Sequence, residues 1–301
     1  MTTVKVLAPA KINLTLHITG QRDDGYHLLD SLVVFSPVSD RLVLSPGHPF
    51  SLTIEGPEAK GVPGDLNNSA MKAARVLDEA WEGSVVLEKH LPAAAGIGGG
   101  SADAAAVLRT MLVMDKDWTD SHFDAPDEVL KPFNERILAL GADVPMCLLS
   151  KSCRARGIGE KVTFTALPTL RAILVNPRVP VSTASVFGML EHCDNAPMPE
   201  DIPRFKEAAD LIDWVSGLRN DLEAPAIKVA PVIEHVLDVL RQSEDCQLAR
   251  MSGSGATCFG LYPDPEAAVS ALKVIRTAYP DWWVMAGDLG DQMALAMPKI
   301  S

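Results

Sequence analysis

The sequence lacks the surplus of basic residues on which a polyanion-binding protein depends: in 301 residues, 27 Lys and Arg stand against 39 Asp and Glu, a formal net charge of -12. Bulk electrostatics therefore excludes nucleic acid as the expected partner. A phosphorylated ligand has to be held locally, by backbone N–H groups and a few placed cations. Cysteine is sparse and unpatterned. The five residues Cys147, Cys153, Cys193, Cys246 and Cys258 form no CxxC pair, and no histidine spacing completes a tetrahedral zinc site. Free thiols in a reducing compartment are expected. There is no run of about 18 uncharged apolar residues, and the opening MTTVKVLAPAKIN has no apolar stretch after its basic residue. A cytoplasmic location away from membranes is the expectation.

What is present is enough for a sizeable core. The chain is 47% hydrophobic and 22% charged, well outside the composition of disordered sequences. At about 100 to 200 residues per domain, the length suggests two domains. The first part is β-rich: Val4 to Leu7, Ile12 to Ile18, Leu32 to Phe35, Arg41 to Leu44 and Leu52 to Ile54 read as short strands, with a turn at Gln21 to Gly25. Asn68 to Trp81 has helical apolar spacing with an Asn placed to cap it. Ser84 to Leu87 reads as a strand, Pro92 to Gly100 as a loop, and Ser101 to Met114 as an Ala-rich helix. Helical patterns continue at Asp127 to Leu140.

Around residue 160 the chain changes character, giving expected domains 1–160 and 161–301. Strands at Arg171 to Val175, Thr257 to Tyr262 and Trp282 to Met285 alternate with helices at Phe205 to Trp214, Pro231 to Ser243 and Pro265 to Tyr279. This alternation suits a second α+β domain.

The richest chemical signal is LPAAAGIGGGSADAAA, Leu91 to Ala106, where Gly96, Gly98, Gly99 and Gly100 leave the backbone bare just ahead of a helix. Bare amides at a helix N-terminus bind anions. A flexible linker is the plain alternative, but linkers do not separate a strand from a strongly helical run. The loop is not a P-loop, because Ser101 follows the last glycine where Lys would be needed, nor a dinucleotide fingerprint, which would have Gly at 101. HRD and DFG, the protein-kinase signatures, are absent as well. Two more segments are unusual: APAKIN, with Lys11 inside an apolar β stretch, and MSGSGA, a second bare-amide loop before a strand. A lysine in a strand usually reaches out to water from an edge, and burying it is costly unless it is partnered.

Together, the PAK segment, the PxxxGxGGSSA-like loop and the later GSG resemble the GHMP kinase superfamily, in the same order. Pro9 to His27 (PAKINLTLHITGQRDDGYH), Gly141 to Pro145 (GADVP) and Arg154 to Lys161 (RARGIGEK) are similar to its branch acting on a cytidine-diphosphate-linked methylerythritol. The resemblance implies an α+β, two-domain GHMP kinase fold with the active site in the interdomain cleft. It implies ATP and Mg²⁺ as cofactors and a small-molecule substrate whose hydroxyl is phosphorylated. Lys11 and Asp143 match the catalytic pair, although a helix cap in GADVP would also account for Asp143. Pro92, Ala93, Ala94, Ala95, Gly96, Ile97, Gly98, Gly99, Gly100, Ser101 and Ala102 match the ATP loop, with Asn68 and Lys89 on the adenosine side. Relatives often have a second serine where this chain has Ala102. No side chain is assigned to the metal.

Tyr26 and His27 match a cytidine pocket, a stacking ring and a hydrogen-bonding one, with Phe187 resembling the aromatic on the other face; core packing would equally account for Phe187. Asn13 matches a substrate-holding position, and Gly253, Ser254 and Gly255 a phosphate-binding wall from the second domain. Two alternatives stand beside this reading: a catalytically silent nucleotide sensor, which should have lost Lys11, Asp143 or Ser101, and another kinase of the superfamily acting on mevalonate or homoserine.

Overall fold

The computed structural model describes residues 3–116 and 134–300. Strands β1 (Val4–Asn13), β2 (His17–Gln21), β3 (His27–Pro46), β4 (Ser51–Glu55), β5 (Gly83–Glu88), β6 (Cys153–Gly157) and β7 (Lys161–Phe164) join a short C-terminal strand in an eight-stranded sheet. Its main path runs from that C-terminal strand through β1, β3 and β5 to β4, with β2 and β6 also on β3 and β7 on β6. The second sheet has four strands, β8 (Leu170–Asn176), β9 (Leu248–Met251), β10 (Cys258–Tyr262) and β11 (Trp283–Leu289), in the order β11-β8-β10-β9. The C-terminal strand β12 (Lys299–Ile300) pairs with β1, so the first sheet draws on both sides of residue 160.

Helices α1 (Ser69–Leu77) and α2 (Gly99–Lys116) pack on the first sheet, burying Ala70, Ala74, Ala105 and Leu108 against Val33, Leu42 and Val85. Beside them lie α3 (Asn134–Leu138) and α4 (Val144–Leu149). The later helices are α5 (Thr183–Phe187), α6 (Ala208–Ser216), α7 (Glu223–Val229), α8 (Val232–Gln242), α9 (Pro265–Ala278) and α10 (Met293–Ala296). Of these, α8 and α9 cover the second sheet through Val236, Leu240 and Ile275 against Ile173 and Val175. A third apolar cluster joins the sheets: Ile12 and Val34 of the first, with Leu14 just beyond β1, meet Leu174 and Phe259 of the second. The glycine loop and β1 lie along this junction.

Several elements differ from the sequence reading for identifiable reasons. Leu32 to Phe35 and Arg41 to Leu44 are parts of one strand, β3, because β1 pairs along both segments, with Val33 to Phe35 and with Ser39 to Leu44. Val4 to Leu7 likewise belongs to a continuous β1, and the register shift opposite Pro9 to Lys11 is taken up by extra residues on β3, since Pro9 faces Ser39 and Lys11 faces Phe35. Helix α2 begins at Gly99, so Gly99 and Gly100 form its first turn and are not loop. The expected helix at Asp127 to Leu140 is described only at Asn134–Leu138; the rest lies outside the described residues. All five cysteines are free thiols, and among the described residues no helix is long and apolar enough to cross a membrane.

Candidate active site

The register shift between β1 and β3 sits beside Lys11, whose ammonium is buried and meets two partners: Asp143 Oδ2 at 2.9 Å and Asn13 Oδ1 at 2.9 Å. Asn13 is fixed in turn, its Nδ2 donating to Ser31 Oγ at 2.7 Å and its backbone N–H to Ser252 Oγ at 3.1 Å. Lys11 is therefore no edge lysine reaching for water. Asp143 occupies the position before α4, yet its side chain makes no capping bond; it turns to Lys11 and is about one-third exposed, at 34%. The cap explanation fails for its side chain, which is free to face a ligand.

The glycine loop runs over this pair. Lys11 N–H donates to Ile97 O at 3.0 Å, and a Cβ on Gly98, at φ +67°, would lie 3.3 Å from Lys11 Cε and 3.7 Å from Asp143 Oδ2. Glycine is required for the loop to lie this close to both charged groups. Ala95 and Gly96 also join the second loop: Thr257 N–H donates to Ala95 O at 3.1 Å and Ser252 Oγ to Gly96 O at 3.1 Å. Ser254 Oγ is 2.9 Å from Thr183 Oγ1 at the start of α5, and Asn220 Nδ2 holds the carbonyls of Met251 and Gly253 at 2.8 and 2.9 Å. The two glycine loops, Lys11, Asn13 and Asp143 thus share one site.

Beneath Gly99 lies a buried cluster absent from the sequence reading. Lys89 Nζ bonds Asp40 and reaches Asp103 Oδ2 at 2.8 Å, while Asp40 also accepts from the backbone N–H groups of His90 and Leu91 at 2.6 and 2.9 Å. Burial alone would lower the Lys89 pKa, but the two carboxylates outweigh it and raise it. Burial, reinforced by the nearby Asp40 charge, lifts the Asp103 carboxyl well above its usual range. One ammonium between two buried carboxylates leaves a surplus negative charge, and binding a proton at Asp103 relieves it. The Lys89 side chain is committed to this cluster. Asn68 is similarly committed, accepting from Ala70 N–H at 2.9 Å as the α1 cap and donating to Pro63 O at 2.8 Å. Both side chains bond to groups of the protein itself.

Ser101 stands in the first turn of α2 near Gly141, whereas Ala102 is buried in the core, so a second hydroxyl at that position would point away from the loop. Pro92 to Ala94 form the outer edge of the loop, where Ala93 and Ala94 are exposed. Among the described residues, no group of three His, Cys, Asp or Glu side chains stands together to hold a metal.

The aromatic residues occupy a separate corner. Tyr26 is 59% exposed, with the Arg22 guanidinium 6.0 Å from its ring centre. The His27 and Phe187 rings stack on each other at 4.7 Å and 25°, and burial lowers the His27 pKa. Phe187 also packs at the border of the second core, the surroundings that core packing predicts, and its other contact is the His27 ring itself. His27 begins β3 and Ser31, which bonds Asn13, is four residues further on, placing the two ends about 13 Å apart along the strand. RARGIGEK has an architectural role here: Arg154 binds Asp30 through Nε and Nη2 at 2.7 and 2.6 Å and the carbonyls of Met198, Pro199 and Glu200 at 2.7 to 3.2 Å. It straps the segment between α5 and α6 to Asp30 of β3.

Comparison with known proteins follows the same lines. The GHMP kinases N terminal domain family matches residues 68–151, and the GHMP kinases C terminal family residues 199–281. A 4-diphosphocytidyl-2-C-methyl-D-erythritol kinase of Dinoroseobacter shibae is 53% identical over 278 residues, 92% of each chain. One from Roseobacter denitrificans is 46% identical, covering 99% of this chain and 97% of its own. Among solved structures, a 4-(cytidine 5'-diphospho)-2C-methyl-D-erythritol kinase is similar with a TM-score of 0.72 at 32% identity, covering 95% of this chain and 99% of the other. A homoserine kinase from Cytophaga hutchinsonii shares the fold, with a TM-score of 0.65 at 18% identity.

Proposed function

The chain belongs to the 4-diphosphocytidyl-2-C-methyl-D-erythritol kinase family of the GHMP kinases, and from that premise we propose that it transfers the γ-phosphoryl group of ATP to the 2-hydroxyl of 4-diphosphocytidyl-2-C-methyl-D-erythritol, in the non-mevalonate route to isoprenoid precursors. The observation that carries the mechanism is the Lys11–Asp143 contact of 2.9 Å directly under Gly98. An aliphatic hydroxyl is a poor nucleophile at neutral pH. Asp143 takes its proton as the oxygen attacks the γ-phosphorus, and the bond from that phosphorus to the bridging oxygen of ADP breaks. Lys11 supplies positive charge to the developing transition state, and Asn13 fixes Lys11 through its Oδ1 from a position beside the polyol.

The amides of the 92–102 loop and the start of α2 receive the ATP phosphates, and Gly253 to Gly255 close the wall from the second lobe. Mg²⁺ bound with the nucleotide would neutralise phosphate charge, and Ser101, in the first turn of α2, would offer its hydroxyl to the phosphates or to the metal. Tyr26, His27 and Phe187 receive the cytosine. Their separation of about 13 Å from the Asn13 end suits a substrate with a base at one end and the reacting alcohol at the other. The lobes, taken as 1–160 and 161–301, then bound the cleft, and a small molecule, not nucleic acid or membrane, is the partner in the cytoplasm.

A substrate panel tests this reading. ATP consumption with the cytidine-linked methylerythritol, and not with mevalonate or homoserine, is the expected outcome; turnover of either competitor would reassign the substrate. Nucleotide binding without turnover of any of the three would make the chain a sensor.

A further inference from the structure

Arg109 is fully buried in the middle of α2, and every group it bonds among the described residues is a carbonyl or the Ser150 hydroxyl. Burial lowers its pKa to about 10, so the guanidinium still carries its charge at neutral pH. A buried cation without a carboxylate is costly, and carbonyl partners offset that cost only where they converge. Here they converge from three other segments. Nη1 binds the carbonyls of Cys147 and Leu148 at 3.1 and 2.8 Å, at the end of α4. Nη2 binds Leu7 O at 3.3 Å on β1, and Nε binds Ala296 O at 2.9 Å at the end of α10.

These segments are the supports of the reacting groups. Asp143 immediately precedes α4, a helix of only six residues whose last turn is closed by Ser150 in a left-handed conformation. Lys11 lies four residues beyond Leu7 on β1. Arg109 itself is ten residues, about 15 Å, along α2 from the glycines of the phosphate loop. We infer that Arg109 is a positioning residue for phosphoryl transfer: from α2 it grips the far end of α4 and the strand bearing Lys11, and so fixes Asp143 against Lys11 beneath the loop. The inference rests on Asp143 acting as the base, as proposed above. A six-residue helix has few intrahelical hydrogen bonds of its own to hold its register, so loss of the grip lets Asp143 shift without opening the binding cleft.

The test is a double-mutant cycle in the full-length protein, with Arg109→Met, Asp143→Asn and the pair, each verified by circular dichroism and thermal melting. Arg109→Met is expected to lower kcat about 10- to 100-fold, the range for a displacement near 1 Å, while KM for ATP and for the cytidine substrate changes less than about threefold. In the Asp143→Asn background the same substitution should cost less than about threefold in kcat, because the group it positions is already gone. Equal losses in both backgrounds, unchanged kcat, or a rise in both KM values with kcat preserved would overturn the positioning role. Should the Met variant fail to fold, Arg109→Lys carries the same cycle, since one ammonium cannot serve three separate segments; a smaller kcat loss, again absent in the Asp143→Asn background, is expected, and additivity overturns the role. Near-normal turnover of Asp143→Asn alone would refute the base, a result distinct from an additive cycle.

Discussion

At Gly96 the backbones of two loops come so close that a Cβ would lie 2.5 Å from Ser252 O and 2.7 Å from Gly255 N, whereas at Tyr26, 59% exposed, the ring is largely open to solvent. The side proposed for the nucleotide is built from backbone and paired ionisable groups: glycine against glycine, Lys11 against Asp143, Lys89 between Asp40 and Asp103. The aromatic side is built from rings that rest on one another, His27 on Phe187. The difference fits the ligands proposed for the two regions. Phosphates demand many donors at fixed positions, which a rigid backbone supplies before they arrive. A base is recognised by a face and an edge, which a few half-buried rings supply and which an incoming base can rearrange. The first region should therefore fail through chemistry and phosphate placement, the second through substrate affinity.

The largest effect is expected at Asp143. Asp143→Asn keeps size and removes the charge; its side chain caps nothing and Asn13 Oδ1 still accepts from Lys11, so folding should be spared. Turnover should fall about 10²- to 10⁴-fold with ATP affinity little changed. A folded Asn variant with near-normal turnover would leave Lys11 acting alone through transition-state charge. Next comes Gly98→Val. A β-branched residue at φ +67° is strained by roughly 1–2 kcal/mol, and its side chain would press on Lys11. With the loss of a charge-assisted phosphate contact of about 1.5–3 kcal/mol, the ATP KM should rise on the order of 100-fold. If ATP binding survives in the folded variant, the loop does not cradle the phosphates.

Tyr26→Ala probes the other region. Stacking on one face is worth about 1 to 3 kcal/mol, so KM for the cytidine substrate should rise at least about fivefold while that for ATP holds steady. An equal change in both constants would erase the contrast between the two regions.

This contrast also governs how much of the site was legible in the sequence. Gly96 and Gly98 announce themselves because only glycine tolerates both the positive φ and the close approach, and Lys11 because an ammonium within an apolar strand requires a partner. The Asp40–Lys89–Asp103 cluster and the Arg154 strap left no local trace, for they join residues far apart in the chain whose individual environments look ordinary. Helix α7 carries Pro225 near its start and α4 carries Pro145, so breaker residues concealed both, although proline in a first helical turn loses no intrahelical bond. The β-rich beginning and the strand, loop and helix unit were readable from periodicity; the merging of strands into β3 depended on its pairing with β1.

The smallest effect sharpens the comparison most, because it concerns a proton on the aromatic side. Burial lowers the His27 pKa from its ordinary value of 6.5, so at neutral pH the ring resting on Phe187 is uncharged. A neutral imidazole offers the cytosine edge one donor and one acceptor; the protonated ring offers donors only. The sign follows: a group that binds its proton less tightly when folded contributes fully above its unfolded value, and that contribution is lost as pH falls through the lower folded value. KM for the cytidine substrate should accordingly stay flat from pH 8 to about 6.5 and rise about two- to tenfold at lower pH, the loss of one hydrogen bond, while KM for ATP follows a different course. Phe187→Ala removes part of the ring's cover, so the His27 titration, followed by its imidazole NMR signals, should move back up toward 6.5. A titration that does not move would assign the burial to other neighbours and leave Phe187 to the core, and a flat KM into the acid range would remove His27 from the base edge while leaving Tyr26 as the sole aromatic contact to the cytosine.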